Sequence, residues 1–334
     1  MDLGPNLIDL ASACNKFRRT LDTYRDNPNR YVIPLPEGPL QQIFHRLRVG
    51  ELTVLGGLPG HGKSALAEQL GFFIAKEFAQ LNSEILDSVS DEDELVNDKE
   101  FVNSCAMYFT LEMNWEQLIS RALTQLTHVP SLNIQEPEKI TRLDWAGLEP
   151  FLEKIATWPM IIYDSSVLKS SAVEQYVSRL ESSGFKPKLI IIDYLQLLAD
   201  ELPYGGNDVT KLDNITRTLK EIARKHECHI IALSSLNRGE TDDFGIPTMN
   251  NIRGSGGIQY GADNILILHQ PHKTNASLDD SWRNITVLKV EKQRAGKADV
   301  MYYMRFDEQK LRFENLSGAE QAVLPPLKAR YRSR

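Results

Sequence analysis

A chain of 334 residues with 42% hydrophobic and 25% charged side chains has the composition of a globular protein and ample length for a buried core. No apolar run approaches the roughly 20 residues that cross a bilayer, the opening Met-Asp-Leu-Gly-Pro-Asn lacks the regions of a signal peptide, and Cys14, Cys105 and Cys228 lack metal-ligand spacing; these features predict reduced, buried thiols in a cytoplasmic protein with no membrane contact. The net charge of −7 argues against nonspecific wrapping of a duplex but is neutral towards nucleic acid held in a locally basic channel.

In residues 1–30, Leu7, Ile8, Leu10, Ala11, Phe17, Leu21 and Tyr24 recur at helical spacing, and Asn27-Pro28 closes the pattern. One short helix does not fold alone, so its apolar stripe must pack on its own domain or on a neighbouring copy. Residues 31–50 are proline-rich and read as a connector, which makes 1–45 a helix and linker ahead of a main domain over 46–316.

Residues 52–67 then read Leu-Thr-Val-Leu-Gly-Gly-Leu-Pro-Gly-His-Gly-Lys-Ser-Ala-Leu-Ala. A short apolar strand breaks into glycines, and a helical pattern continues towards Lys76. Residues 57–64 fit G-x-x-x-x-G-K-S/T at every fixed position in the strand–loop–helix context that this motif requires. The glycines let backbone N–H groups turn onto phosphate oxygens at the positive end of the next helix. Lys63 is expected to reach the outer phosphates and Ser64 to ligate Mg²⁺. The nucleotide-binding set is therefore Gly57, Pro59, Gly60, His61, Gly62, Lys63, Ser64 and Ala65, and the expected cofactors are ATP and Mg²⁺.

An acidic stretch at 84–100, containing Asp91-Glu92-Asp93-Glu94, reads as a solvated insertion or a partner-binding segment. After it the pattern predicts a strand at 106–110, helices at 115–126 and 138–156, a strand at 160–163 and a helix at 172–180. The β-branched run Leu-Ile-Ile-Ile-Asp at 189–193 predicts a strand buried on both faces. A helix at 209–225 and strands at 229–234, 262–269 and 285–291 follow, and 300–306 with 311–314 form a closing hairpin. Strands alternating with helices after a phosphate loop predict an α/β fold, a three-layer sandwich with a mostly parallel central sheet. The basic stretch 317–334 is expected to be a flexible tail.

Phosphoryl transfer also needs a metal acid, an oriented water and a cation for the developing charge. Asp193, closing its apolar strand, is placed to hold the Mg²⁺ shell. Glu112, at the carboxyl end of the strand after the phosphate-loop helix, is the candidate for polarising water, or else complements the helix beginning near Trp115. In the basic run Lys-Val-Glu-Lys-Gln-Arg-Ala-Gly-Lys (289–297), Arg294 suits a cation acting on nucleotide held by an adjacent subunit, or serves only solubility at a strand edge. The long Asn-, Gly- and Ser-rich segment 237–261 includes Arg253 and glycines that suit contact with a phosphodiester backbone, or it is a surface loop.

These motifs together resemble the C-terminal motor domain of the DnaB-type replicative helicases. The resemblance runs with gaps from about Arg48 to Asn315. It rests on 57–64, Phe-Thr-Leu-Glu-Met (109–113), Asp-Tyr-Leu-Gln-Leu (193–197), Leu-Asn-Arg (236–238), Ile-Arg-Gly-Ser-Gly (252–256) and Lys-Gln-Arg (292–294). It implies a RecA-like P-loop NTPase fold and an ATP-driven hexameric ring that moves on single-stranded DNA and unwinds duplex in replication. By resemblance, catalysis falls to Glu112, Lys63 and the trans-acting pair Lys292 and Arg294, and the metal to Ser64 and Asp193. Single-stranded DNA falls to Arg238, Arg253, Gly254, Ser255 and Gly256, and the leading helix to docking on the next protomer; a helicase loader or other replication protein would be a partner. Ser235 stands where the family typically has glutamine, Gly254 replaces its usual glutamate, and with only about 45 residues ahead of the motor its N-terminal collar domain is expected to be missing. A RecA-like ATPase that remodels nucleic acid without processive unwinding, or a nucleotide-gated scaffold, also fits these residues.

Overall fold

The run Leu-Ile-Ile-Ile at 189–192 sits where such a run must, on an interior strand covered on both faces. The structure is a computed structural model that describes residues 9–26, 33–88, 103–127, 136–202 and 206–325, together with 129, 133, 134 and 327. Its strands are β1 (Leu52–Gly57), β2 (Ser104–Thr110), β3 (Met160–Asp164), β4 (Lys186–Asp193), β5 (His229–Ser235), β6 (Asn264–His269), β7 (Ile285–Gln293), β8 (Val300–Asp307) and β9 (Arg312–Asn315). They form one sheet in the order β3-β2-β4-β5-β1-β6-β7-β8-β9. Neighbours from β3 through to β6 are parallel, and β7, β8 and β9 are added antiparallel. The expected α/β fold with a mostly parallel sheet is present.

The helices are α1 (Leu10–Asp26), α2 (Pro39–Phe44), α3 (Lys63–Ser88), α4 (Trp115–Leu126), α5 (Arg142–Ala156), α6 (Ser170–Ser182), α7 (Asp208–Lys225), α8 (Ser255–Gly261), α9 (Pro271–Thr274) and α10 (Gly318–Val323). Alternation along the strands sorts the two covering layers. Tyr108, Leu189 and Ile191 belong to one apolar cluster with Leu70, Phe72 and Phe78 of α3. Phe109, Ile190 and Ile192 belong to the other, with Val177 of α6 and Ile215, Leu219 and Ile222 of α7. Each such buried side chain contributes roughly 1.5–3 kcal/mol by leaving water.

Several sequence readings change. The stretch read as a connector is part of the core, with Ile33, Leu35, Leu40, Ile43 and Leu47 all buried in the α3 layer; its prolines set the entry to α2, where Pro39 opens the helix. The helix after the phosphate loop continues past Lys76 to Ser88, so Glu84 lies on it; residues 89–102, which carry the acidic run, lie outside the described residues. The helix expected from 138 starts at Arg142, because Thr141 and Asp144 close a capping box there. The 237–261 segment ends in α8 rather than remaining loop. The tail begins as α10, capped by Ser317, and Leu327 is buried against the Trp282 cluster, while 328–334 lie outside the described residues. Cys105 and Cys228 are buried as expected, but Cys14 is exposed on α1. On that helix Leu10, Phe17 and Leu21 are 81%, 64% and 51% exposed, so these three side chains do not pack on their own domain, while Leu7, Ile8 and the closing Asn27-Pro28 lie outside the described residues. Among the described residues no helix is long and apolar enough to cross a membrane.

Candidate functional site

β1 lies between β5 and β6, so the loop after Gly57 emerges at the centre of the sheet's carboxyl edge. The loop needs its glycines for backbone reasons. Gly60 and Gly62 have φ of 75° and 90°, and a Cβ on Gly62 would stand 2.7 Å from the Phe313 ring. A Cβ on Gly57 would stand 2.9 Å from the Lys63 side chain and 3.0 Å from the Leu268 carbonyl oxygen. Lys63, the first residue of α3, turns back to donate from Nζ to the carbonyls of Gly57 (2.8 Å) and Leu58 (3.2 Å). Burial lowers its pKa, and the charges of Asp193 and Glu112 oppose that shift.

The His61 side chain turns away from the loop's open face. It is buried, accepts from the Gln270 backbone N–H at Nδ1 (2.9 Å) and stacks on His269 at 5.1 Å. Burial brings its pKa down to about 3, leaving it neutral. It holds the loop against the end of β6.

A cavity of about 510 Å³ opens over the loop, and Pro59, Gly60, Gly62, Lys63, Ser64 and Ala65 form its floor. Glu112 and Asp193 line it with them. Asp193 ends β4, one strand removed from β1. Burial raises its carboxyl pKa, and hydrogen bonds from the Ser64 and Tyr108 hydroxyls oppose the rise; Tyr108 Oη lies 3.3 Å from Asp193 Oδ2. The helix that follows Glu112 is capped without it. Asn114 Oδ1 accepts from Gln117 N (2.8 Å), and Asp164 accepts from Trp115 N (2.9 Å). Glu112 is thereby left to face the cavity.

The sequence reading missed several residues of this site. Arg121 of α4 lines the cavity, with Nε 3.0 Å from a carboxylate oxygen of the fully buried Glu68. Burial pushes the Glu68 carboxyl up to about 8, against the pull of Arg121. Gln125, also buried, donates to the carbonyls of Ala65 (3.3 Å) and Leu311 (3.1 Å). A signal was present: Leu118, Arg121, Ala122 and Gln125 share one helical stripe, so two polar side chains interrupt a buried face. The opposite wall is formed by Phe306, Glu308 and Leu311 of the closing hairpin with Lys273, whose Nζ donates to the Gly60 carbonyl (3.0 Å). Nothing local in the sequence ties that distant hairpin to the loop.

Lys292 and Arg294 are not in this cavity. Gln293 pairs with Asn264 at the start of β6, and Asn264 pairs with Thr53 at the start of β1. Arg294 thus leaves the sheet at the edge opposite the phosphate loop, roughly 13 Å away along the strand direction alone. Lys292 Nζ donates to the carbonyls of Gln259 (2.6 Å) and Ala262 (2.7 Å), closing the end of α8. Arg294 is 55% exposed and donates to the Tyr260 carbonyl (3.1 Å).

The 237–261 segment leaves β5 beside the cavity, where Ser235 is part of the lining. Asn237 N donates to Asn251 O (2.8 Å), and Arg253 Nε donates to Asn237 Oδ1 (2.8 Å). Arg253 and Gly254 border one polar cleft with Lys211, and Arg238 borders a second that shares Asn237. The glycines mostly answer to packing. A Cβ on Gly257 would sit 2.5 Å from Asp213 Cα, and one on Gly261 2.6 Å from the Thr216 side chain, so they let α8 press onto α7. Gly254 caps α8 with a left-handed φ of 70° beside Leu212, whereas Gly256 is exposed and open to substitution.

A phosphate loop heading a central parallel strand, an acid on the strand two places away and a carboxylate on the next define a RecA-like P-loop NTPase fold. Solved structures agree: a separately solved ATPase domain superposes with a TM-score of 0.73 at 20% identity, covering 92% of this chain and all of that one. A DnaB-like replicative helicase, solved in a study of its interactions with primase, also gives 0.73 at 20% identity, covering 93% of this chain and 69% of that one. In sequence, residues 38–315 match the DnaB-like helicase C-terminal domain, and the chain belongs to that family. Replicative DNA helicase DnaB of Helicobacter pylori strain J99 is 28% identical over 284 residues, covering 82% of this chain and 51% of that protein. DnaB of Geobacillus stearothermophilus is 30% identical over 227 residues, covering 67% and 49%. The chain spans about half the length of the curated relatives it matches.

Proposed function

We propose that the chain is an ATP-driven motor that assembles into a ring of six head-to-tail copies, translocates on single-stranded DNA and unwinds duplex in replication. The observation that supports this reading is that the residues expected to share one site stand at two opposite edges of the sheet. Lys63, Ser64, Asp193 and Glu112 surround one cavity, while Arg294 leaves the opposite edge with its side chain exposed. In a head-to-tail ring the second edge of one copy meets the first edge of the next.

In this reading the loop N–H groups and Lys63 bind the phosphates of ATP. Ser64 and Asp193 would hold Mg²⁺: a hydroxyl bonded to a buried carboxylate is the oxygen donor set that a hard cation takes. Held there, the ion would supply charge neutralisation for the phosphates. Glu112 orients the attacking water and accepts its proton. Arg294, with Lys292 released from its carbonyls, stabilises charge developing on the neighbour's nucleotide. The exposed stripe of α1 docks on the adjacent copy. Arg238, Arg253 and the backbone at Gly254, Ser255 and Gly256 contact the phosphodiester chain. A helicase loader or other replication protein would be a further partner, and the DnaB-like helicase solved in a study of its interactions with primase makes primase one candidate.

The test is ATP hydrolysis with and without single-stranded DNA, run beside strand displacement on a forked duplex and a mass measurement with and without ATP. Stimulation, displacement and ATP-dependent assembly are expected. An unstimulated rate contradicts the motor, and stimulation without displacement favours remodelling of nucleic acid.

A further inference from the structure

One side chain joins the nucleotide cavity to the segment that carries Arg253. We infer that Gln196 is a positioning residue that couples the two, transmitting the state of the cavity to the nucleic-acid loop. This rests on the reading of the chain as a DNA-dependent ATPase.

Gln196 follows Asp193 by three residues, in the single 3-10 turn Leu195–Leu197. Both ends of its amide are used on the same stretch of β5. Nε2 donates to Ser234 Oγ (2.8 Å), and Oε1 accepts from the backbone N–H of Ser235 (3.2 Å). Ser234 is fully buried, and Ser235 lines the nucleotide cavity. The turn after Asp193 is therefore pinned to the end of β5 by a donor and an acceptor together, both supplied by one carboxamide.

From Ser235 the connection runs on through the backbone. Its carbonyl accepts from Arg253 N (3.4 Å), and Leu236 N donates to the Gly57 carbonyl (3.3 Å). That carbonyl is also held by Lys63 Nζ. Asn237 then takes Arg253 Nε on its side-chain oxygen. Gln196 itself borders the cleft that contains Arg253 and Lys211. A shift of the Asp193 turn relative to β5 breaks two hydrogen bonds of one amide or carries the end of β5 and the Arg253 backbone with it. Separating them leaves the buried Ser234 hydroxyl and the half-buried Gln196 amide without these partners, which is the costlier course, so the two elements move together.

The test uses the full chain and a single-stranded oligonucleotide. Hydrolysis is measured with and without DNA, and DNA affinity with and without a non-hydrolysable ATP analogue, for wild type, Gln196→Met and Ser234→Ala. Methionine keeps the length and volume of Gln196 and removes both hydrogen bonds. The expected result is DNA-free hydrolysis and analogue affinity within about twofold of wild type and DNA stimulation reduced by about tenfold. The effect of the analogue on DNA affinity should shrink by a similar factor, because coupling between bound ligands is reciprocal. Ser234→Ala should move both readouts in the same direction by less. A space-filling role would leave Gln196→Met fully stimulated, and that result overturns the inference. If Gln196→Met does not fold, full stimulation in Ser234→Ala overturns it instead. An unstimulated wild type contradicts the motor reading first and removes the inference along with it.

Discussion

Glycine is concentrated at two places in this chain, and the two use it for opposite purposes. In the phosphate loop Gly60 has a left-handed φ, and beyond its chain neighbours no atom lies within 4 Å of where a Cβ would stand, so its backbone is free to face a ligand. In α8 the glycines are closed in: Gly257 and Gly261 lie against Asp213 and Thr216 of α7, where a Cβ has no room. The lysines divide similarly. Lys63 holds two carbonyls inside a cavity with two carboxylates, while Lys292 holds two carbonyls that end a helix. One edge of the sheet therefore carries a lined cavity, and the other is a braced surface whose exposed Arg294 the proposed function gives to a neighbouring copy.

The largest expected effect tests that dependence. Arg294→Ala should lower DNA-stimulated hydrolysis by about 10³-fold or more, as loss of a trans-acting arginine does, without changing nucleotide affinity in an equilibrium titration. A variant that keeps its rate makes Arg294 a structural partner of Tyr260 and Asp263 alone. Next, Glu112→Gln should lower the rate about 10²- to 10⁴-fold while retaining nucleotide, the range expected for removal of a general base; equal loss of binding would place Glu112 in the phosphate cradle instead.

The glycine contrast is sharpened by a pair of stability measurements. Gly257→Ala should cost about 1–3 kcal/mol by overpacking α8 on α7, whereas Gly256→Ala, with its nearest contact at 3.8 Å, should stay within about 0.5 kcal/mol. Similar costs at both positions would remove the packing account. A smaller effect comes from pH. His229 is fully buried between Thr53 Oγ1 and the Arg48 carbonyl, and burial brings its pKa down to about 4. The unfolded chain then binds the extra proton between pH 6.5 and 4, so stability falls as pH falls through that window. The expected loss between about pH 7.5 and 5.5 is about 1 kcal/mol from His229, with His61 acting in the same direction, and denaturant titrations of wild type and His229→Gln at both pH values measure it.

What could be read in the sequence was local. The phosphate loop, Asp193 and Glu112 follow from a motif and from the ends of apolar strands, where neighbours in sequence are neighbours in space. The doubly buried strand at 189–192 followed from β-branching alone. Packing against distant elements was not legible in this way. Residues 33–47 looked like a proline-rich connector because their partners are side chains of α3 and the hairpin far along the chain. The stacking of His61 on His269 was not legible, because His269 is far away in sequence. The glycines of α8 looked like an open loop because the α7 surface they touch is not adjacent in sequence. Arg121 stood within reach of pattern analysis, as a cation on the buried face of a short helix.

The central claim, that the nucleotide site is completed by a second copy, is tested most directly by mixing two inactive chains. Lys63→Ala lacks the phosphate lysine but keeps Arg294, and Arg294→Ala has the reverse defect. Each alone should hydrolyse almost no ATP, and an equal mixture should recover up to about a quarter of the wild-type rate, the share of interfaces that random head-to-tail assembly makes whole. Two inactive chains whose mixture stays inactive, although it assembles, would contradict the account.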